Sequence, residues 1–306
     1  MQLFYSDTFV LPLPEHHRFP MAKYRLLRER IDCSSIASLC EMMVPDAATD
    51  EQLLLAHDAD YLCRMVNGDL TALEIRRIGF PWSPQMVERS RRSTGASISA
   101  ARSASRNGVA VNLAGGTHHA SRNCGGGYCV FNDACVAAKV VQLDSPSLNV
   151  LILDLDVHQG NGTADICAND ESVFTVSLHC DKNYPFLKAQ SDLDVALPEG
   201  IGDEEYLAAL DKCLAEIEIR FEPDFVFYLA GADPYVNDRL GRMRLTKHGL
   251  SLRDQRVFDW CFQRGLPVSV AMAGGYAPDV EDIVDIHYQT VELALAQYSR
   301  QPVTKE

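Results

Sequence analysis

The stretch NVLILDLDVH, residues 149–158, constrains the fold more than any other part of the chain. Apolar residues fall on both of its alternating faces, so a strand here has to be covered on both sides, as in a parallel sheet layered between helices. Ile152, Asp154, Asp156 and His158 share one face, and Leu151, Leu153, Leu155 and Val157 the other. Burying two carboxylates and an imidazole side by side is costly unless something positive compensates them. The stretch therefore predicts a buried sheet with a cation close to these three groups.

Five further apolar runs suit the same sheet: QLFYS (2–6), VAVNLAGG (109–116), VFTVSLHC (173–180), DFVFYLAGAD (224–233) and PVSVAMAGG (267–275). Helical patterns lie between them. FNDACVAAKVVQLD places Phe131, Ala134, Cys135, Ala138 and Val141 on one helical face. Asp203-Glu204-Glu205 opens another helix, with Leu207, Leu210, Leu214 and Ile217 at helical spacing. Two more are expected over about 250–264 and about 279–299. This alternation predicts an α/β fold, a parallel sheet with helices on both faces. No repeat, low-complexity tract or linker interrupts it, so residues 1–306 read as one domain.

A net charge of −14 argues against a nucleic-acid footprint and tolerates a cationic partner. The ten cysteines form no CxxC pair and sit mostly in apolar segments, which predicts reduced, buried thiols in a cytoplasmic protein. The N-terminal segment lacks the basic and apolar regions of a signal peptide, and no apolar run is long enough to span a membrane.

Four segments, AGGTHHA, LDLDVHQGNG, AGAD and AGGY, each set glycine and a reactive side chain just past an apolar run. Open parallel sheets bind ligands outside the carboxyl ends of their strands, so four such endings predict one shared site. Asp156, His158 and Asp233 form a set of two carboxylates and one imidazole. Such a set leaves positions open for water and substrate on a divalent metal. Asp156 and His158 alone fit a hydrogen-bonded pair in a turn better than a metal site. His118 or His119 can serve as a general base, and Tyr276 can donate to a developing oxyanion. The other histidine pair, His16-His17, reads as an accident of a polar loop.

In this order, AGGTHHA, GGGYCVFND, DLDVHQGNG, VSLH, AGADPYVNDRLG and AGGY resemble the histone deacetylase-like metal hydrolases over roughly residues 15–295. HRFPMAKY, IGFPWS and DVHQGNG look most like the class IV branch and its bacterial relatives. The resemblance implies the arginase–deacetylase fold, an eight-stranded parallel sheet flanked by helices. It also implies zinc-dependent hydrolysis of N-acyl-lysine side chains or related amides, in that branch including long fatty acyl chains. By it, Asp156, His158 and Asp233 hold zinc, His119 moves protons, His118 acts mainly electrostatically, Asp154 orients His118, and Tyr276 meets the oxyanion. Gly127, Tyr128, Tyr184 and Leu240 would line a tunnel for acyl-lysine. Asp154, Asp156, His158, Ser177 and Leu178 would hold a structural potassium ion, mostly through backbone carbonyls, and Arg25 would be an internal-channel arginine.

Two positions depart from the best-known members. Asn161 stands where class I enzymes have aspartate beside the second histidine, which should leave His119 less basic. Gln159 replaces a histidine that commonly follows the ligand histidine. The small residues of VAVNLAGG and CGGGYC permit a pocket for a longer acyl chain, and the expectation leans slightly to fatty acyl over acetyl. An arginase-type dinuclear manganese site would need a DxHxD pattern, and the chain has DVHQG. An acetylpolyamine amidohydrolase shares the same catalytic set, and a binding module for acylated ligands would differ only in lacking turnover.

Overall fold

The computed structural model of the protein describes residues 1–300, so residues 301–306 of the expected domain lie outside the described ones. In chain order the elements begin with β1 (Gln2–Phe4), α1 (Ala22–Asp32), β2 (Glu41–Met43), α2 (Asp50–Leu53), α3 (Ala59–Asn67) and α4 (Ala72–Ile78). They continue with α5 (Pro84–Asn107), β3 (Val109–Asn112), α6 (Asp133–Asp144), β4 (Val150–Asp154), α7 (Asn161–Cys167) and β5 (Val173–Cys180). The last are β6 (Leu193–Leu197), α8 (Asp203–Arg220), β7 (Phe225–Leu229), α9 (Lys247–Gln263), β8 (Val268–Ala271) and α10 (Val280–Arg300). The strands make one eight-stranded sheet in the order β2-β1-β3-β8-β7-β4-β5-β6. Every pairing is parallel.

A core lies on each side of the sheet. Leu151, Leu153, Val226 and Tyr228 point to the one shared with α1, α8, α9 and α10. Val150, Ile152, Phe225 and Phe227 point to the one shared with α3, α5 and α6. This is the double-sided burial that NVLILDLDVH demanded.

Except for β5, which fills its run from Val173 to Cys180, the expected strands are shorter than their apolar runs. β4 stops at Asp154, and the reason is local. Asp154 Oδ1 accepts from the Asp156 amide at 3.1 Å, and Asp156 Oδ1 from the His158 amide at 2.9 Å. Two successive side-chain turns of this kind roll the chain off the sheet. Leu155 and Val157 nevertheless stay in the same core as Leu151 and Leu153. β3 ends in the same way, Asn112 Oδ1 accepting from the Ala114 amide at 2.9 Å.

Two strands escaped the sequence reading, β2 and β6, which are the two edges of the sheet. Edge strands are covered less, and their residues are accordingly only partly buried. Helices α1 to α5 and α7 were not anticipated either. The longest, α5, is rich in Ser, Ala and Arg, and Met86, Val87 and Ile98 are its only large apolar side chains, so its buried face is made mostly of small residues. Its ends do carry signals, a Ser83 cap, Pro84 in the first turn and Gly108 just beyond the last residue. α6 is buried almost all round, wider than the single face its spacing suggested. Among the described residues no helix is long and apolar enough to cross a membrane.

Candidate active site

The four glycine-ended segments follow β3, β8, β7 and β4, which are consecutive neighbours in the sheet. Their carboxyl ends meet at the bottom of a cavity of about 470 Å³. His118, His119, Asp156, His158 and Tyr276 line its depth, and Gly127, Tyr128, Tyr184 and Leu240 line its walls. All the candidate pocket residues therefore converge, with Asp233, fully buried, just beneath.

Asp156, His158 and Asp233 each bring one donor atom within 4.8 Å of the others. His158 Nδ1 lies 3.0 Å from Asp156 Oδ1 and 3.2 Å from Asp233 Oδ2. The remaining carboxylate oxygens are held by backbone amides, Asp156 Oδ2 by Gly274 at 2.8 Å and Asp233 Oδ1 by Val157 at 2.9 Å. Gly274 has to be glycine, because a Cβ there would collide with Asp233 Oδ2. Burial and then the neighbouring Asp156 push the Asp233 carboxyl up to about 7. Burial would lower His158, but Asp156 and Asp233 overcome it and raise the imidazole to about 10. Asp233 Oδ2 makes no hydrogen bond although it is buried. An orphaned buried oxygen beside a second carboxylate and an imidazole nitrogen fits a divalent cation, which would supply the missing positive charge. Among the described residues this is the one such cluster of His, Cys, Asp and Glu.

The tandem histidines are fixed from behind. His118 Nδ1 meets Asp154 Oδ2 at 2.6 Å, and His119 Nδ1 meets Asn161 Oδ1 at 2.7 Å, which leaves each Nε2 for the cavity. Burial would lower His118, yet the charges of Asp154 and Asp156 raise it to about 9. Burial, then His118 and His158, lower His119 well below the ordinary value. One imidazole is thus biased cationic and its neighbour neutral. Gly127 adopts φ +51°, and a Cβ there would run into the His119 ring. Tyr276 lies with its ring centre 6.4 Å from that of His158. Burial and the two carboxylates hold its hydroxyl well above its usual value, so it stays a hydrogen-bond donor.

The wall beside Tyr276 is aromatic. Phe19 packs 5.0 Å from Phe80, 5.2 Å from Tyr128 and 6.1 Å from Tyr276. His17 belongs to this wall and is no accident of the loop: its Nε2 meets the Gly79 carbonyl at 2.8 Å. Tyr184 closes the far side, its ring edge-on to His119 at 4.8 Å.

Arg25 does not enter an internal channel. It is exposed and pairs with Glu29 on the outer face of α1. The buried cation of that helix is Lys23, whose Nζ reaches the carbonyls of Ala273 at 3.2 Å and Gly275 at 3.3 Å. Other supports were also missed. Asp133 receives the amides of Gly116 and Thr117 just before the histidines. Asp238 receives the Tyr276 amide at 2.6 Å. Arg253, fully buried, donates to the carbonyls of Gly231 at 2.6 Å and Leu155 at 3.4 Å, each close before a candidate ligand. Asn132-Asp133 at a helix start was the one available signal for such support.

The structure can be set beside known proteins. The family model described as Histone deacetylase domain matches residues 17–291. An uncharacterized protein of Picosynechococcus sp. is 42% identical over 283 residues, covering 92% of this chain and 94% of that protein. Histone deacetylase 2 of Arabidopsis thaliana is 29% identical over 267 residues, covering 80% of this chain and 69% of that protein. The crystal structure of an HDAC homolog complexed with SAHA superposes with a TM-score of 0.83 at 24% identity, covering 96% of this chain and 83% of that one, a likeness of fold.

Proposed function

The chain belongs to the histone deacetylase domain family, and from that premise we propose that it is a zinc-dependent amidohydrolase removing acyl groups from the side-chain amine of lysine. The observation that carries this reading is the buried trio of Asp156, His158 and Asp233 under the tandem histidines and Tyr276. These three would hold the zinc, whose Lewis acidity would acidify a water and polarise the acyl carbonyl.

The chain's own groups do the rest. His119, biased neutral and anchored to Asn161, accepts the proton of the attacking water at Nε2 and returns it to the leaving lysine amine. His118, held by Asp154 and biased cationic, stabilises the negative charge that grows beside it. Tyr276 donates its hydroxyl hydrogen to the acyl oxygen as charge develops there. Gly127, Tyr128, Tyr184 and Leu240 hold the alkyl stem of the lysine and keep water away from it. The full extent 1–306 acts as one catalytic domain in this reading. Asp154, Asp156, His158, Ser177 and Leu178 are the proposed potassium ligands; Asp154 and Ser177 are register partners on adjacent strands. The free thiols suit a reducing cytoplasm, and HRFPMAKY and IGFPWS, which meet at the aromatic wall, suit a class IV-like member.

The acyl group would enter the depth beyond Tyr276. A second cavity of about 50 Å³ adjoins it, sharing Phe19, Tyr24 and Tyr128 and lined further by Leu11, Phe80 and Phe131. Of the glycines expected to open such a pocket, Gly115 lines both cavities and Gly116 the larger one. Both also allow close packing, Gly115 against Asp133 and Gly116 against Ala273. Aromatic and aliphatic side chains form most of the extra space, with Arg89, Ser90, Ser93 and Thr117 completing it.

A panel of acyl-lysine peptides and acetylpolyamines, with metal analysis of the purified protein, tests the proposal. Peptide hydrolysis with one zinc per chain is expected. Two metals per chain in the active protein, or no amide turnover with zinc bound, would overturn it.

A further inference from the structure

The chain carries 42 acidic and 28 basic residues, yet the cavity opening shows the opposite sign. Its exposed charged residues are Arg76, Arg77, Lys182 and Arg242, and the one acidic residue lining the cavity is Asp156, at the floor. Lys182 is offset by Asp181 at 3.1 Å and Arg242 by Glu199 at 3.6 Å. Arg76 and Arg77 have no ion-pair partner among the described residues. Arg77 lines the cavity edge, its Nε and the Tyr184 hydroxyl standing 3.5 and 3.4 Å from where a Cβ on Gly126 would lie. Two arginines in the last turn of α4 suit the dipole of that helix. The dipole does not account for Lys182 and Arg242, which reach the same rim from the β5–β6 and β7–α9 connections.

We propose that the cavity mouth selects acyl-lysine peptides with Asp or Glu within two residues of the modified lysine, read by Arg76, Arg77, Lys182 and Arg242. The proposal rests on the amide-hydrolase reading above and names its substrate class. Cations on three separate segments surround the opening, so they are met by a chain crossing it rather than by one small anionic group. The side chain of lysine enters the cavity while its neighbours, about 3.3 Å apart along an extended backbone, lie over the rim. Phe186 and Leu187, 84% and 91% exposed beside Lys182, add an apolar rest for the same chain. A polyamine, or a peptide rich in lysine and arginine, meets like charge instead.

The test uses the full, zinc-loaded chain and three fluorescent acetyl-lysine peptides, flanked by Glu, by Ala or by Arg. At low ionic strength kcat/KM should be about tenfold higher for the acidic than for the neutral peptide, and about tenfold lower for the basic one. Both ratios should shrink toward one in about 0.5 M NaCl, because the rim is exposed. The double variant Arg76→Gln, Arg77→Gln should cut the acidic-to-neutral ratio to about threefold or less. Anisotropy binding of the same peptides reads the rim without turnover. If no peptide is hydrolysed and the acidic one still binds most tightly, the catalytic reading fails and the rim proposal stands. If all three bind alike, the rim proposal is overturned whatever the turnover. Charge-blind peptide binding together with arginine-dependent sedimentation on anionic phosphatidylglycerol vesicles would reassign the rim to a lipid surface and also overturn it.

Discussion

The floor of the cavity is assembled from the ends of four neighbouring strands, whereas its mouth comes from the end of α4 and two long connections. The floor is buried, and nearly every polar atom there has a partner, either a backbone amide or a second buried side chain. The mouth is exposed, and Arg76 and Arg77 stand without a carboxylate. Net charge, summed over the chain, describes neither. A protein at −14 opens its cavity through a ring of cations. Chemistry is tied to strand ends here, and discrimination to connections, so the two respond to different changes.

The largest expected effect is at the floor. Asp233→Asn keeps an oxygen for the Val157 amide but removes charge from the trio. It should lose most bound zinc and on the order of 1,000-fold or more of turnover, with only modest loss of stability. Zinc content and thermal unfolding, measured together, check this; full zinc in the variant would break the assignment of the floor. Tyr276→Phe should keep its zinc and still bind acyl-lysine, but turn over about 100–1,000-fold more slowly. Near-normal turnover on an amide would remove Tyr276 from the chemistry.

A third effect lies behind the floor. His57 Nδ1 donates to the Ser121 carbonyl at 2.9 Å, and its Nε2 accepts from the Asn132 amide at 2.9 Å, so only a neutral ring serves both. Burial, offset in part by the Ser121 carbonyl, lowers its pKa to about 4. The folded value lies below the unfolded one. The stabilisation is therefore complete above about pH 6.5 and fades as pH falls toward 4, by about 3 kcal/mol. Urea unfolding at pH 7 and pH 4.5 should show a steeper loss for the natural chain than for His57→Gln; equal losses would contradict it. The smallest effect belongs to the acyl end. Two added methylenes, at about 0.8 kcal/mol each, should raise efficiency about tenfold from acetyl- to butyryl-lysine. A steady fall from acetyl through myristoyl would close the small side cavity to substrate.

The residues of the floor were readable because a glycine and a reactive side chain past an apolar run leave few structural options. Asp156, His158 and Asp233 met as expected, as did His118, His119 and Tyr276. The length of β4 was not readable, since Asp154 and Asp156 turn the chain by hydrogen bonds that an alternating pattern does not show. Arg25 and Lys23 teach a related lesson. Two residues apart on a helix they point to opposite sides, and the packing of α1 decides which one is buried. Edge strands β2 and β6 were hidden because a half-covered strand need not be apolar.

β8 fills the middle of the sheet, between β3 and β7, and is the last strand in the chain. Val109 pairs with Val268 and Val226 pairs with Val268 from the other side. At a synthesis rate of about 5–20 residues per second, β3 waits on the order of ten seconds for this neighbour. In the meantime β2-β1-β3 and β7-β4-β5-β6 are separate half-sheets, each with an open inner edge that invites pairing with other chains. Gly274 and Tyr276 arrive only just behind β8. The β7-β4-β5-β6 half already carries Asp156, His158 and Asp233, but the tandem histidines follow β3 in the other half and Tyr276 follows β8. The nascent chain therefore stays inert, and vulnerable to misassembly, until all but its final helix has been made.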